Sequence, residues 1–312
     1  MHGEANFIQS LRELARHPAA RGLADDAAVL DFGGRSLVLT HDMLVEGVHY
    51  LPDDPPADVA WKLLAVNLSD LAAKGARPLG VLLGYSLGEE DWDEAFVAGL
   101  AAALAAFALP LIGGDTVRGT GPRTLALTAI GEAHGPAPSR SGGRPGDHLW
   151  VSGTIGDAGA GLRGLKGEIA PHPFLVERYR NPRPRLEAGE RLAPLVGAMM
   201  DVSDGLLIDA SRLAQASGVA AQVELASLPL SEALLASSGD GRESRLAAAT
   251  AGDDYELLFA AGAERSAEIL ALQDELGLPF SRIGALAEGS GLRLAHDGEA
   301  VPLPPSLGWV HR

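Results

Sequence analysis

Apolar segments that border aspartates recur along this chain, and they constrain its fold more than any other feature. Such segments lead into Thr40-His41-Asp42, Gly113-Gly114-Asp115-Thr116, Asp201-Val202-Ser203-Asp204 and Gly252-Asp253-Asp254, and Asp25-Asp26 precede a further one. Each site alone is typical of a turn or helix cap, because aspartate accepts hydrogen bonds from nearby backbone N–H groups. Together they predict acidic turns that meet at one rim of a sheet and hold hard cations such as Mg²⁺.

Strand-like and helix-like patterns alternate around these turns, which favours layered α/β domains. Strands are predicted at 27–30, 36–40, 79–86, 109–112, 124–132 and 148–152, and helices at 58–74, 91–107 and 206–217. Asp58 is the expected N-cap of the first helix and Gly75 its expected end. Asp297-Gly298 predicts a hairpin turn.

Two segments rich in turn-forming residues divide the chain. Residues 133–147 are dense in Gly, Pro and Ser and predict the boundary between domains 1–138 and 139–312. Residues 171–185 are rich in Pro and Arg and predict a long loop. Its four arginines are typical of a solvated loop, and a lid over phosphates is the alternative hypothesis. They are Arg178, Arg180, Arg183 and Arg185.

Composition excludes several classes of protein. The formal net charge is −16, with 25 Lys+Arg against 41 Asp+Glu, so the surface repels nucleic acids and anionic membranes. Cysteine is absent, which excludes disulfides, thiolate metal sites and a cysteine nucleophile and fits a reducing cytoplasm. Residues 95–114 carry no charge but contain Pro110 and are flanked by acids, which predicts a buried helix and a short strand rather than a membrane span.

The helix at 58–74 carries polar residues in an apolar context. Trp61, Leu64, Leu68 and Leu71 follow helical spacing and predict a buried stripe. Asn67 and Asp70 project together from a different face. They indicate a ligand-facing role, and the alternative is a solvated face with an Asp70–Lys74 pair.

Three familiar signatures do not predict the function of this chain, because two match only in letters and the third is absent. Residues 159–164 match G-x-G-x-x-G, but no strand-end acid follows about 20 residues later, so a dinucleotide site is not expected. Residues 84–88 match G-x-S-x-G, but the next helix begins too late for a nucleophile elbow. The chain has no Gly-Lys dipeptide, so ATP would be bound without a P-loop.

A set of short blocks runs in order over nearly the whole chain. They include Gly3-Glu4 with Phe7, Asp25-Asp26-Ala27, Thr40-His41-Asp42, Asn67-Leu68-Ser69-Asp70, Gly113-Gly114-Asp115-Thr116, Ser139-Arg140-Ser141-Gly142, Ser152-Gly153-Thr154-Ile155-Gly156-Asp157, Asp201-Val202-Ser203-Asp204-Gly205-Leu206 and Asp253-Asp254-Tyr255-Glu256-Leu257. Any one block is weak, but the ordered set resembles the thiamine-monophosphate kinase family, within the aminoimidazole ribonucleotide synthetase superfamily.

The resemblance implies a two-domain α/β fold, each domain a mixed sheet with packed helices, and a homodimer. It implies transfer of the γ-phosphoryl group of ATP to thiamine monophosphate, assisted by several Mg²⁺ ions. The implied metal ligands are Asp26, Thr40, Asp42, Asp70, Asp115, Asp201 and Asp204, of which Asp70, Asp115 and Asp204 are implied to carry catalysis. The implied nucleotide contacts are Gly114, Asp115, Arg140 and Ser203, and the implied substrate contacts are His49, Asp253 and Trp309.

Two positions depart from the family pattern. His41 replaces a hydroxyl residue, which puts a metal contact through that side chain in doubt. Asp253 replaces a glutamate and is one methylene shorter, so its substrate contact is expected to be water-mediated or absent. Trp309 could stack on a cationic ring, or it could simply anchor the C-terminal tail.

The residues leave the chemistry partly open. A phosphate acceptor is mostly dianionic at neutral pH, because its second pKa is near ~6, and so it needs no general base. The protein would then act by positioning and charge neutralisation. The alternatives are another ATP-using synthetase of the superfamily, a non-catalytic Mg²⁺- or nucleotide-binding module, and a two-metal phosphohydrolase.

Overall fold

The structure, a computed structural model, describes residues 4–310 as two β-sheets with packed helices. Gly3, part of the first block of the resemblance, lies outside the described residues. The elements before residue 138 are α1 (Glu4–Arg12), β1 (Ala28–Phe32), β2 (Arg35–Val45), α2 (Pro56–Ala73), β3 (Ala76–Ser86), α3 (Glu90–Ala106), β4 (Leu111–Val117) and β5 (Thr124–Ala133).

The first sheet has the order β1-β2-β5-β3-β4. Its neighbouring strands are antiparallel except β3 and β4, which are parallel. Helix α2 packs on β2 and β5 of this sheet and, on other sides, against α3 and elements of the second domain. Because it is enclosed on several sides, α2 is buried along nearly its whole length, including its polar residues Asn67 and Ser69.

The second domain follows the linker. Its elements are β6 (His148–Ser152), α4 (Asp157–Leu165), α5 (Pro173–Arg180), α6 (Leu186–Leu192), β7 (Ala198–Asp201), α7 (Leu206–Ser217), β8 (Ala220–Glu224), α8 (Glu232–Ser238), α9 (Arg242–Thr250), β9 (Leu257–Ala261), α10 (Ser266–Leu276), β10 (Phe280–Ala287), β11 (Gly291–His296) and β12 (Glu299–Val301). The sheet order is β12-β11-β8-β10-β6-β9-β7, with only β11 and β8 parallel among these strands. Both sheets are therefore mixed, as the resemblance implies.

Helix α2 joins the two domains. It contacts α5, α6 and β7 of the second domain in addition to its own sheet. Gly75, just after its C-terminal end, has φ +58, and a Cβ there would lie 2.5 Å from the Cβ of Ala193. Glycine is required here both for the left-handed backbone and for the close approach of the second domain.

Several predicted elements are confirmed. The predicted helices correspond to α2, α3 and α7, and the predicted strand 148–152 is β6. The hairpin turn joins β11 to β12, with Asp297 at φ 54 and Gly298 at φ 78, as expected of a two-residue turn with two left-handed residues.

Three local predictions are wrong. Residues 171–185 contain α5 rather than one long loop, because Pro173 starts a helix whose Leu175 and Tyr179 are buried. Helix α2 begins at Pro56, so Asp58 lies in its first turn and Pro55 takes the N-cap position. The uncharged segment 95–114 is not a fully buried helix: α3 buries only one face, and every residue of β4 is exposed.

Two of the predicted acidic turns lie within strands instead. Thr40, His41 and Asp42 continue β2, where they pair with residues 127–129 of β5. Gly114 and Asp115 continue β4, where they pair with Leu83 and Gly84. Long partner strands supply the ladder hydrogen bonds here, so the polar residues do not end the strand. Within residues 4–310, no helix has both the length and the hydropathy needed to cross a bilayer.

Candidate active site

Three of the predicted ligands meet between the two domains. Carboxylate oxygens of Asp26, Asp70 and Asp201 all lie within 4.8 Å of one another, and we call this group the acidic cluster. Asp26 precedes β1, Asp70 lies on α2, and Asp201 ends β7. At an effective dielectric constant near 20, two unit charges at such a distance repel by about 3–4 kcal/mol. The arrangement is therefore unfavourable unless protons or cations neutralise it.

Three carboxyl groups at or beside the acidic cluster have raised pKa values, because they are buried and lie near other carboxylates. Burial, with the charge of Asp26 adding to it, raises the pKa of Asp201 to about 8. Burial, with the charges of Asp42, Asp201 and Asp26, raises the pKa of Asp70 well above its usual range. Burial, with the charges of Asp26 and Asp204, raises the pKa of Asp42 to about 6. Asp42 and Asp204 thus share the electrostatic environment of the acidic cluster.

Hydroxyl and amide groups on neighbouring elements orient these carboxylates. Thr40 Oγ1 donates to Asp70 Oδ2, and Ser69 Oγ donates to Asp201 Oδ2 at 2.6 Å. The Asn67 side chain accepts from the backbone N–H of Asp42 at 3.1 Å and donates to a carbonyl of its own helix. Asn67 is therefore a buried positioning group rather than a ligand-facing one, and the prediction for its side chain is wrong.

Strand alternation explains the position of His41. Thr40 and Asp42 lie on the face of β2 that meets α2, so His41 lies on the opposite face. There its Nδ1 is 2.8 Å from Thr128 Oγ1, and the residue is exposed. The substitution at this position therefore leaves the acidic cluster unchanged.

Two cationic side chains contact the acidic cluster. Lys74 Nζ, fully buried, pairs with Asp25 and with Asp26 Oδ2, and Arg140 pairs with Asp26 Oδ1 through Nε at 2.8 Å. Burial alone would raise the pKa of Asp25, but Lys74 and Arg21 together lower it to about 2. Lys74 thus pairs with the residues before β1 and not with Asp70, four residues earlier.

A cavity of about 850 Å³ adjoins the cluster on the side of Arg140. Its lining includes Arg140, Ser203, Asp204 and Arg212. The Ser203–Asp204 turn is held by Asp209, whose Oδ2 accepts from both backbone N–H groups at 3.1 and 3.2 Å. Arg212 bridges Asp204 at 2.6 Å and Asp209 at 2.8 Å. The cavity therefore combines guanidinium groups, a hydroxyl group and a fixed backbone turn.

Gly114 and Asp115 lie apart from the cluster within one chain. In the sheet, Asp42 pairs with Leu127, Leu127 with Leu83, and Leu83 with Gly114. Three strand spacings at about 4.8 Å place Gly114 roughly 14 Å from Asp42. A Cβ on Gly114 would lie 2.0 Å from the carbonyl oxygen of Leu83, so strand packing alone requires glycine there.

The predicted substrate residues form two groups. Lys62 Nζ links the first group, donating to the carbonyl oxygen of His49 at 3.1 Å and to Asp253 Oδ2 at 2.9 Å. The ring of His49 accepts from the N–H of Val45 through Nδ1 at 3.0 Å. Trp309 lies instead beside the Ser203–Asp204 turn, where its backbone N–H donates to the backbone carbonyl of Asp204 at 2.9 Å, and the residue is 52% exposed.

The arginines of segment 171–185 are engaged in ion pairs. Arg178 and Arg185 pair with the fully buried Glu256, and Arg180 pairs with Asp54 of the first domain. These pairs pin the segment to both domains, which is not what a mobile lid requires.

The glycine-rich segment after β6 serves a structural purpose. The N–H groups of Gly156 and Ala158, at the start of α4, donate to Asp254 at 2.7 and 3.5 Å. A carboxylate of the protein thus occupies the end of α4 at which a phosphate could otherwise bind.

Comparison with known families identifies the class of protein. Residues 24–133 match the family described as AIR synthase related protein, N-terminal domain, and residues 144–297 match its C-terminal domain counterpart. With its two mixed sheets and an acidic cluster between them, the chain is an AIR synthase related protein.

Relatives that match over most of their length identify the family within this class. A thiamine-monophosphate kinase from Caulobacter vibrioides is 42% identical, over 98% of this chain and 90% of that protein. The chain belongs to the thiamine-monophosphate kinase family, whose members are phosphotransferases. The crystal structure of the Stenotrophomonas maltophilia K279a protein matches with a TM-score of 0.78 and 42% identity, over 95% of this chain and 96% of that one. A structure described as AaThiL complexed with AMPPCP and TMP matches with a TM-score of 0.86 and 32% identity, over 99% and 97%.

Some residues of the site carry no local sequence signal. Lys62, Lys74, Asp209 and Arg212 contact predicted site residues, but they belong to ordinary helical patterns. The partner of Lys62, Asp253, is 191 positions away in sequence. Asp25, the partner of Lys74, differs from these residues, because its position next to Asp26 in the first acidic pair could have indicated that it belongs to the site.

Proposed function

We propose that this chain transfers the γ-phosphoryl group of ATP to the phosphate of thiamine monophosphate, giving thiamine diphosphate and ADP. The observation that carries the proposal is the acidic cluster between the domains, beside the cavity lined by Arg140, Ser203 and Asp204. Family membership supports the same reaction, as does the AaThiL structure, which is described as holding AMPPCP together with TMP.

Mg²⁺ fits the donor set of the cluster. Asp26, Asp70 and Asp201 offer carboxylate oxygens, the ligands that Mg²⁺ prefers, and Thr40 and Asp42 lie on the adjoining strand. These residues would hold the ions. Burial, together with repulsion from neighbouring carboxylates, raises the pKa values of Asp70 and Asp201, and bound cations would relieve that repulsion. When bound, Mg²⁺ supplies positive charge to the phosphate oxygens of ATP and of the acceptor.

The proposed reaction needs positioning more than proton transfer. An oxygen of the acceptor phosphate attacks the γ-phosphorus in line, and the bond from that phosphorus to the bridging oxygen of ADP breaks. The dianionic acceptor needs no general base. Arg140 holds Asp26 through Nε and Nη2, and its remaining N–H groups can donate to phosphate oxygens.

The acceptor site is proposed around His49 and Asp253. Trp309, beside the Ser203–Asp204 turn, is proposed as its further contact. The side chain of Asp253 is 30% exposed, so its carboxylate can accept hydrogen bonds from donors on the substrate. The exposed ring of Trp309 can stack on the cationic thiazolium ring of thiamine.

We propose a homodimer formed through the edge of the first sheet. Strand β4 is exposed along its whole length, and its Leu111, Ile112 and Val117 are each about half exposed. An open edge with apolar side chains favours pairing with another chain. With a second copy there, Gly114 and Asp115 of one subunit could contact the nucleotide bound by the other subunit. A cytoplasmic location, expected from the cysteine-free sequence, is part of the proposal.

Product analysis tests the proposed reaction. Purified protein is incubated with ATP, Mg²⁺ and thiamine monophosphate, and the products are separated by chromatography. Thiamine diphosphate with equimolar ADP supports the proposal. ATP binding without turnover would indicate a binding module, free phosphate without an acceptor a phosphohydrolase, and turnover only with another acceptor a different synthetase. Each of these results would reject the proposal.

A further inference from the structure

Lys62 is a buried cation that has no role in the proposed reaction as described above. It lies on α2, and its side chain is 3% exposed. Only three of the 25 basic residues of the chain are lysines: Lys62, Lys74 and Lys166. Lys62 and Lys74 are buried beside predicted site residues, whereas Lys166 is exposed. At Lys62 a compact ammonium with three donors lies among contacts on several sides.

The ammonium of Lys62 has its contacts within the protein. It donates to the carbonyl oxygen of His49 at 3.1 Å and to Asp253 Oδ2 at 2.9 Å. It also lies 4.0 Å from the centre of the Tyr179 ring, as in a cation–π contact. Because these groups surround it, Lys62 is suited to hold other residues in place rather than to bind the substrate itself.

Asp253, the partner of Lys62, is held in an unusual conformation. Its φ is +70 and that of Tyr255 is +51, both in the left-handed region that non-glycine residues rarely adopt. Backbone hydrogen bonds from Asp253 to Ser203 and from Tyr255 to Val202 fix the segment. Such strain persists only where the surroundings impose it, and it is concentrated at functional sites.

Both carboxylate oxygens of Asp253 are restrained. Tyr255 donates its hydroxyl to Oδ1 at 3.2 Å, and Lys62 donates to Oδ2. The first restraint comes from the same loop, but the second comes from the other domain. Lys62 therefore fixes the distance between Asp253 of the second domain and His49 of the first.

We propose that Lys62 is a positioning residue for the thiamine-phosphate acceptor, acting through Asp253 and the backbone of His49. This inference rests on the proposed function, in which those two residues contact the acceptor. The restraint that Lys62 places on Asp253 matters because an aspartate side chain is one methylene shorter than a glutamate. Its carboxylate must therefore be held in the correct position to contact the substrate. We expect ATP binding to change little without Lys62, because Gly114, Asp115 and Arg140 lie on other elements and Ser203 meets the Asp253 segment through its backbone carbonyl only.

Steady-state kinetics of Lys62→Met test the inference, with Lys166→Met as the matched control. In Lys62→Met we expect the KM for thiamine monophosphate to rise at least 10-fold while the KM for ATP stays within 2-fold. Lys166→Met should leave both values unchanged. Equal changes in the two KM values, or no change in either, would overturn the inference.

A double variant separates positioning from general destabilisation. If Lys62 acts mainly through Asp253, Lys62→Met should raise the KM for thiamine monophosphate by a smaller factor in the Asp253→Asn background, where its contact with His49 remains to be lost, than in the wild-type protein. Multiplying effects would overturn the inference. Because the double variant removes both charges, it also serves if Lys62→Met alone fails to fold, as judged by circular dichroism. An unchanged KM in folded Asp253→Asn would reject the Asp253 assignment and the inference with it. Failure of the wild-type protein to form thiamine diphosphate would reject the proposed function itself.

Discussion

Ser69 on α2 donates to Asp201 at the end of β7 at 2.6 Å, although the two residues are 132 positions apart and belong to different domains. Both side chains are buried. The contact ties one member of the acidic cluster to the helix that carries another, Asp70. Domain packing and cluster geometry are therefore set by the same interaction.

Removal of this hydroxyl tests the link. Ser69→Ala leaves a buried oxygen of Asp201 without its donor, and an unsatisfied buried polar group costs about 1–3 kcal/mol. We expect the free energy of unfolding, measured by urea denaturation, to fall by about 1–3 kcal/mol. The exposed Ser237→Ala is the control, and its effect should stay within about 0.5 kcal/mol. Equal stabilities of the two variants would contradict the link.

Asp70→Asn should separate catalysis from stability. The change removes an acidic group from the crowded cluster but retains an oxygen that can accept from Thr40. We expect kcat to fall by at least about 100-fold, in line with the loss of a key electrostatic group. The melting temperature without Mg²⁺ should be unchanged or higher. If the protein unfolds while the activity per folded molecule stays normal, Asp70 is structural. The exposed Asp53→Asn serves as the matched control.

The raised pKa values predict how stability depends on pH. The pKa of Asp201 is about 8 in the folded chain against an ordinary value of 3.8, so the folded state binds more protons between these values. The free energy of unfolding without divalent cations should therefore fall as pH rises through this window. Mg²⁺ competes with those protons, so it should raise the melting temperature more at pH 8 than at pH 5. A larger gain at pH 5, measured by scanning calorimetry, would contradict this account.

The exposed edge strand gives a prediction about assembly. Ile112→Lys places a charge in the apolar surface of β4, where we expect it to convert a dimer to a monomer. Val97→Lys, at an equally exposed position on α3, is the control and should leave the dimer intact. Sedimentation velocity distinguishes the two states. A wild-type protein that sediments as a monomer at micromolar concentration would refute the proposed dimer.

Sequence patterns predict the periodic elements well. Helices α2, α3 and α7 and the Asp297-Gly298 hairpin follow from spacing and turn chemistry, which act over a few residues. The same local reasoning fails at Thr40–Asp42 and Gly113–Thr116, where polar residues resemble turns. There a distant strand supplies the hydrogen bonds, which keeps the chain extended.

The candidate site is predictable only in part. Asp26 and Asp201 stand out because they border apolar runs, and Asp70 stands out as a polar residue in an apolar helix. The structure brings these three residues together. The roles of their neighbours depend on contacts between domains. Nothing around Lys62 in the sequence indicates that it contacts Asp253, because that contact exists only after both domains have packed.

The most direct measurement of the central claim is anomalous scattering from crystals grown with Mn²⁺ and a non-hydrolysable ATP analogue. Mn²⁺ accepts the same oxygen ligands as Mg²⁺ and reveals its position by its anomalous signal. We predict anomalous peaks at bonding distance from carboxylate oxygens of Asp26, Asp70 and Asp201. A fully bound nucleotide with no anomalous peak at this cluster would contradict the account.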